Sequence, residues 1–390
     1  MEIFTGSFTQ QEPIPEEGIA AAIEVMRHGR LHRYNSAGEV PQAALLEQDF
    51  AALTGARFCV AVASGGQAMQ IAMRACGIGP GERVLTNAFT LAPVPGAIHG
   101  IGAVPVLVES TPDLTINLED LVKKANGARA LMLSHMRGHI ADMDRIAAIC
   151  RDHNLILIED CAHTMGASWD GTPTGRFGAA GCFSTQTYKH ANSGEGGLII
   201  TDDPDLAAQA VLMSGSYMLY PRHGAAPGEE VFARHIARTP NLSARMDNLR
   251  AALLRPQLAS LPDRVQRWRA LHSALAGALR SNAARIPKAH PKAEPVPSSF
   301  QFLLDEWAPE RITNFIAACA ARGVELKWFG ASAPAGFTSA HQHWGYVAPQ
   351  DLPDTDRALS GLIDMRLPLT FSGEDIAVIA RILTEELSGH

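Results

Sequence analysis

An α/β layered domain with a largely parallel sheet, followed by a smaller α+β domain, is the architecture this sequence predicts. Two observations carry that expectation. From about residue 57, short apolar runs alternate with helical patterns, the mark of strands joined through packed helices. The runs are continuously apolar rather than alternating, as strands covered on both faces must be. Past Asp203 the pattern changes to a polar segment, long helices and a mixture of short strands and helices.

Taken in order, the runs are FCVAVAS (58–64), RVLT (83–86), VPVLV (104–108), RALMLS (129–134), LILIE (155–159), AGCFS (180–184) and GLIITD (197–202). Helical patterns fall at 67–76, 92–99, 117–124 and 143–152. The last two runs are joined by a loop without a clear helix, which predicts one antiparallel strand. Residues 215–240, rich in Gly, Pro, Arg and His, read as a long exposed loop. A strong helical stretch covers 243–279, with Pro256 and Pro262 breaking it. Residues 288–298 form a Pro-rich connector, and a strand at 298–304 with helices at 310–322 and 374–387 completes the α+β unit. The division is placed between a large domain with an N-terminal arm, 1–250, and a small domain, 251–390.

Composition removes several functional classes. With 46% hydrophobic and 19% charged residues over 390 positions, the chain buries a sizeable core and is not globally disordered. A net charge of −7 leaves no basic footprint for nucleic acid or an anionic membrane. None of the six cysteines forms a C-x-x-C pair, so no zinc or redox motif is expected. They read as buried free thiols, which suits a reducing compartment. The N-terminus lacks the basic and apolar regions of a signal peptide, and no run approaches the ~18 uncharged apolar residues of a membrane span. A soluble, cytoplasmic protein is expected.

Three segments carry chemistry. The densest is GCFSTQTYKHANSGEGGLIIT, 181–201, which sets Lys189 on a loop after a strand and ahead of Gly194-Glu195-Gly196-Gly197. A loop lysine is either a solvated surface group or, between two apolar strands, a desolvated amine able to act as a nucleophile. In LILIEDCAHTMGA, 155–167, an apolar strand ends in Glu159-Asp160. Ligand groups in parallel α/β sheets lie beyond the carboxyl ends of strands, so Asp160 is either a turn cap or the partner of a protonated ring nitrogen. His163 is either a core histidine or a ring neighbour. The third segment, VASGGQAMQIAM, 62–73, runs from strand through Ser64-Gly65-Gly66 into a helix at Gln67. Small residues at a helix N-terminus leave backbone N–H groups free for a phosphate, although any tight turn uses the same residues. Together the segments supply a phosphate cradle, a carboxylate for a pyridinium and a lysine for a Schiff base. These are the groups pyridoxal 5′-phosphate (PLP) needs.

On these motifs the chain resembles the DegT/StrS family of PLP-dependent aminotransferases, the sugar aminotransferases of fold type I. Ser184 to Gly197 is similar to the family's Ser-Phe-His-x-x-Lys-x-x-x-x-Gly-Glu-Gly-Gly. Glu159 to His163 is similar to Glu-Asp-x-Ala-Gln, and Ser64-Gly65-Gly66 to Ser-Gly-Thr. Arg245-Met246, Leu249 and Ala251-Ala252 follow its Arg-Met helix, and Leu367-Pro368-Leu369 with Glu374-Asp375-Ile376 its closing pattern. The resemblance covers about residues 15–387. It implies a mainly parallel seven-stranded sheet, with Lys189 as the Schiff-base lysine and Asp160 as the pyridinium partner. It implies Ser64, Gly65, Gly66, Gln67 and Ser184 in the cofactor site, with Gly65, Gly66 and Ser184 on the phosphate. His163 stands where the family has Gln, beside the ring. Phe89, two residues before the position of the family's stacking aromatic at Leu91, is taken as the ring neighbour. Ser243 replaces the Asn that reaches the partner subunit's phosphate, Gly66 replaces a Thr and Gln186 a His. The family's C-terminal His-x-Pro-x-Tyr gives way to 326–346.

The implied activity is transfer of an amino group from glutamate or glutamine to a keto or aldehyde acceptor, a keto-sugar or related polyol, by a homodimer. Two alternatives stand beside it. One is a PLP- or pyridoxamine-phosphate-dependent sugar dehydratase of the same family, in which His replaces the lysine; His190 is adjacent here. The other is a non-catalytic regulatory protein on this fold.

Overall fold

The computed structural model describes residues 2–280, 284–336 and 339–389. Helices α1 (Glu16–His28) and α2 (Gln42–Thr54) precede the first strand. The chain then alternates β1 (Phe58–Val62), α3 (Gly65–Ala75), β2 (Arg83–Asn87), α4 (Pro93–Gly100), β3 (Val104–Val108), α5 (Leu118–Ala125), β4 (Ala130–Ser134), α6 (Met143–Asp152) and β5 (Ile156–Asp160). A hairpin of two-residue strands, β6 (Ser168–Trp169) and β7 (Thr172–Pro173), leads to β8 (Ala180–Ser184) and β9 (Gly197–Thr201). Side chains at the helix starts accept the orphan amides: Asn117 caps α5 and Asp142 caps α6.

Seven of these strands form one sheet in the order β1-β9-β8-β5-β4-β2-β3. Every pair from β8 to β3 is parallel, and β9 alone runs antiparallel to both of its neighbours. The seven apolar runs thus become the seven strands, and the helix-free connection gives the antiparallel one, as expected. Alternate residues explain why the runs are continuous. Cys59 and Ala61 join the core on one face while Val60 and Val62 join the core on the other. Leu131 and Leu133 divide from Ala130 and Met132 in the same way. The pairing also aligns one edge: β1, β8, β5, β4 and β2 all end there, and β9 begins there.

Past the sheet come α7 (Pro204–Ser214), α8 (Glu229–Ala233), α9 (Asn248–Ala259) and α10 (Leu261–Leu279). Two expectations need correction here. Residues 215–240 are not a wholly exposed loop, because Val231, Phe232 and His223 are buried. Phe232 stacks on Tyr220, and the His223 ring sits in a polar network with Tyr34, Arg33 and Glu47. Arg33 and Glu47 pair through two bonds of 2.9 Å at full burial. The polar composition therefore marks a buried network rather than solvent. Nor does Pro256 break a helix: α9 runs through it, packed against α1 and α2. The missing N–H removes a single ladder bond, and the Pro256 carbonyl still accepts from Ser260. Pro262 stands in the first turn of α10, where no N–H is needed.

The remainder consists of β10 (Ala293–Glu294), β11 (Ser299–Leu303), α11 (Pro309–Ala321), β12 (Lys327–Trp328), α12 (Pro353–Ser360), β13 (Leu362–Arg366) and α13 (Gly373–Gly389). An antiparallel sheet β11-β13-β12 is its centre, and α10 and α11 both pack on α13. The connector over 288–298 is tied down by β10, which pairs with β6. All the cysteines are free thiols; Cys76 is partly exposed and the other five are buried.

Candidate active site

The common sheet edge gathers the predicted residues because the strands that carry them end there. Ser64, just past β1, caps α3 by accepting from the Gln67 amide at 3.1 Å. The Gly65 and Gly66 amides lie in the first turn of α3, where no intrahelical carbonyl reaches them. Ser184 ends β8 beside them: a Cβ on Gly65 would stand 2.8 Å from the Ser184 Cβ. Only glycine permits that approach. Gly197 opens β9 opposite both Val62 and Ser184, and a Cβ there would stand 2.3 Å from the Ser64 carbonyl oxygen. Two helix amides, a serine hydroxyl and glycine-only packing make a concave donor set of the kind that holds a phosphate.

Asp160 ends β5 and is 7% exposed. Its Oδ2 accepts from Ser134 Oγ at 2.8 Å and its Oδ1 from the Ala162 amide at 3.1 Å. Both partners are neutral, so this buried carboxylate keeps lone pairs for a cation. Ser134, at the end of β4, is itself held: Thr90 Oγ1 donates to its Oγ at 2.8 Å, and Asn87 brackets its backbone on both sides.

Lys189 lies on the loop between β8 and β9, partly buried, with Nζ 2.5 Å from His163 Nε2. Burial, Arg137 and Arg366 push its amine down to about 7 against the pull of Asp160. His163 is buried, and its Nδ1 accepts from the Arg137 amide at 3.0 Å. Burial, then the Lys189 and Arg137 charges, push the His163 ring well below its usual range. His190 points elsewhere: it is 1% exposed and packs edge-to-face on Trp268.

The donor set fits PLP on three counts: a phosphate cradle closed by glycine at 65 and 197, a buried carboxylate with spare lone pairs, and a lysine held near its free-amine form. A family model described as the DegT/DnrJ/EryC1/StrS aminotransferase family matches residues 13–384. The chain belongs to this family.

Two curated proteins illustrate what the chain is similar to. An L-glutamine:scyllo-inosose aminotransferase of Streptomyces griseus is 36% identical over 215 residues, covering 54% of this chain and 50% of that protein. A pleiotropic regulatory protein of Geobacillus stearothermophilus is 33% identical over 269 residues, covering 68% of this chain and 67% of that protein. The chain thus spans half to two thirds of the length of these relatives. Among solved structures, S. venezuelae DesV in complex with a ketimine intermediate is 26% identical, with a TM-score of 0.80 over 95% of this chain and 94% of that one. 3-Amino-5-hydroxybenzoic acid synthase, 22% identical with a TM-score of 0.84 over 98% and 99%, shares the fold. The fold is that of the fold type I PLP aminotransferases.

Two further expected residues sit apart from these contacts: Phe89 in an apolar cluster, and Ser243, expected at the partner subunit's phosphate, on the surface. Phe89 is 1% exposed and packs edge-to-face on Phe329, in a cluster with Met136 and Leu303. Its neighbour Thr90 is the residue that reaches the site, through Ser134. Ser243 is exposed at φ 53°, with its Oγ accepting from Arg245 at 2.8 Å. Sequence reasoning missed Ser134, Thr90 and Arg137. Ser134 ends an apolar run, so the strand-end rule that picked out Asp160 would have found it.

Proposed function

We propose that this chain is a PLP-dependent aminotransferase moving an amino group from L-glutamine or L-glutamate to a keto or aldehyde carbon of a sugar or related polyol. The observation that carries the reading is one sheet edge holding the Lys189 amine, the Asp160 carboxylate and the Ser64–Gly66 and Ser184 cradle. The names of relatives support the substrate class: one uses L-glutamine and scyllo-inosose, and another, 33% identical over 243 residues, is a GDP-perosamine synthase of Caulobacter vibrioides.

When bound, PLP supplies an aldehyde carbon for an amine and a ring that draws off the negative charge left when the donor loses its α-proton. The Gly65 and Gly66 amides and Ser184 Oγ would hold the phosphate, and the α3 N-terminus would favour its charge. Asp160, steadied by Ser134 and Ala162, would accept from the ring N–H and keep that nitrogen protonated. Lys189 Nζ would hold that aldehyde carbon between turnovers and, once freed by the donor amine, would carry a proton from the donor's α-carbon to the cofactor carbon it had held. A lysine near 7 is suited to both directions of proton transfer at neutral pH.

The same reading makes the chain a cytoplasmic homodimer without nucleic-acid or membrane partners, with domains at 1–250 and 251–390. No helix among the described residues is long and apolar enough to cross a membrane. Tyr217 and Met218 expose apolar side chains, at 60% and 61%, near the segment that carries Ser243. A non-catalytic regulator is the second reading, favoured by the name of the Geobacillus relative. Against it stands a desolvated lysine that folding does not require. Against a dehydratase stands Lys189 itself, with His190 packed on Trp268.

One experiment separates these readings. PLP-loaded protein is mixed with excess L-glutamine, and the 2-oxo acid is counted by mass spectrometry. About one equivalent per site is expected, and keto-cyclitols and nucleotide keto-sugars should then restore the PLP spectrum. No 2-oxo acid from glutamine, glutamate or a panel of other amino acids would remove the aminotransferase reading.

A further inference from the structure

We infer that His163 serves as a hydrogen-bond donor that holds Lys189 as the unprotonated amine, and that the turn at 135–139 fixes it in that role. The inference rests on the reading of Lys189 as the reactive amine, and it makes His163 a positioning residue.

It starts from the two ring nitrogens. Nδ1 accepts a hydrogen bond from the Arg137 amide at 3.0 Å. A nitrogen in that position carries no proton, so the ring is not imidazolium and its single proton sits on Nε2. Nε2 stands 2.5 Å from Lys189 Nζ. With the N–H on the histidine, the partner must offer a lone pair. An ammonium offers donors only, so the contact exists with the amine form alone. Protonation of Lys189 would set two N–H groups against each other.

The amide that fixes the tautomer is itself fixed. Arg137 is a non-glycine residue at φ 54°, a left-handed conformation that needs support from its surroundings. That support comes from β13: Arg137 Nη2 donates to Asp364 Oδ2 at 2.8 Å, and Gln301 Nε2 holds the other Asp364 oxygen at 2.6 Å. Asp364 is fully buried. From the other side, the His135 amide donates to the Asp160 carbonyl at 3.1 Å. The turn is therefore held at both ends with its Arg137 N–H aimed at His163.

The charges around Lys189 lean the same way: Arg137 and Arg366 oppose a further positive charge, Asp160 alone favours one, and burial holds the neighbouring His190 ring neutral. Burial and the two arginines act on any lysine placed here. The tautomer lock is specific: it selects the amine through a single hydrogen bond and makes Lys189 nucleophilic at neutral pH without a separate base.

Two measurements on the full-length chain freed of cofactor test this. Selective ¹⁵N-histidine labelling reads the His163 tautomer directly, its signals assigned by their loss in His163→Gln, or in His163→Asn if that variant fails to fold. The Nε2–H form is expected across about pH 6 to 9, beyond the range in which a free histidine titrates. An Nδ1–H or doubly protonated ring overturns the inference. Competitive acetylation of Lys189, read by peptide mass spectrometry across pH, gives the amine's midpoint, expected well below the ordinary lysine range in the native chain. In His163→Leu no donor faces Nζ and an ammonium is no longer opposed by one, so the midpoint should rise by about one unit or more. An unchanged midpoint means burial and the arginines suffice, and overturns the lock. Neither outcome depends on turnover. A tautomer lock without transaminase activity would strike the proposed function alone, and turnover with the wrong tautomer would strike the lock alone.

Discussion

Lys189→Ala should lower turnover by ~10³-fold or more while leaving the fold intact. General acid–base transfer by one positioned side chain accounts for roughly 10²- to 10⁴-fold, and this residue also holds the cofactor carbon between turnovers. Its side chain is partly exposed on a loop, so its loss opens no cavity in the main cores. His190 is the adjacent base, but burial pushes it below the usual histidine range and its ring faces Trp268, so it does not take over. Stopped-flow single turnovers with L-glutamine, alongside a circular-dichroism melt, check both halves. A variant that turns over within tenfold of the native chain would place the chemistry elsewhere.

Asp160→Asn should retain the fold and part of the PLP binding and lose turnover by roughly 10²-fold or more. The amide is isosteric. Its oxygen still accepts from the Ala162 amide, and its NH₂ donates to Ser134 Oγ, whose hydroxyl proton rotates away. What it lacks is the negative charge that keeps a ring nitrogen protonated. A charge-assisted hydrogen bond of this kind contributes roughly 1.5–3 kcal/mol to binding. The loss in rate is larger, because the ring carries most charge at the transition state. Cofactor titration and kcat measured on one preparation separate the two effects. Native turnover in Asp160→Asn would leave this carboxylate as a turn cap.

Much of this was legible before any coordinates. Apolar runs such as RALMLS and GLIITD announced strands with both faces covered, and Leu131/Met132 and Leu198/Ile199 do divide between two cores. Asp160 was readable because it ends a strand, Ser64 because small residues open a helix there, and Ser184 through the family motif; the sheet brings them to one edge. The misses have physical causes. Arg137 acts through a backbone N–H in a left-handed turn, which leaves no side-chain signature. Phe89 was taken because it lies two residues before Leu91, the position of the family's stacking aromatic, yet it packs on Phe329 from a distant segment. His223 and Glu47 sit 176 residues apart, so their network was invisible to local composition.

Reductive trapping tests the central claim most directly. The PLP-loaded protein should be yellow, and borohydride should bleach it irreversibly by reducing the bond between cofactor and lysine. Peptide mapping should then find the pyridoxyl group on Lys189 and on no other lysine. A label on Lys123, Lys327 or another amine would contradict the site assignment, and no label at all would contradict the use of this cofactor.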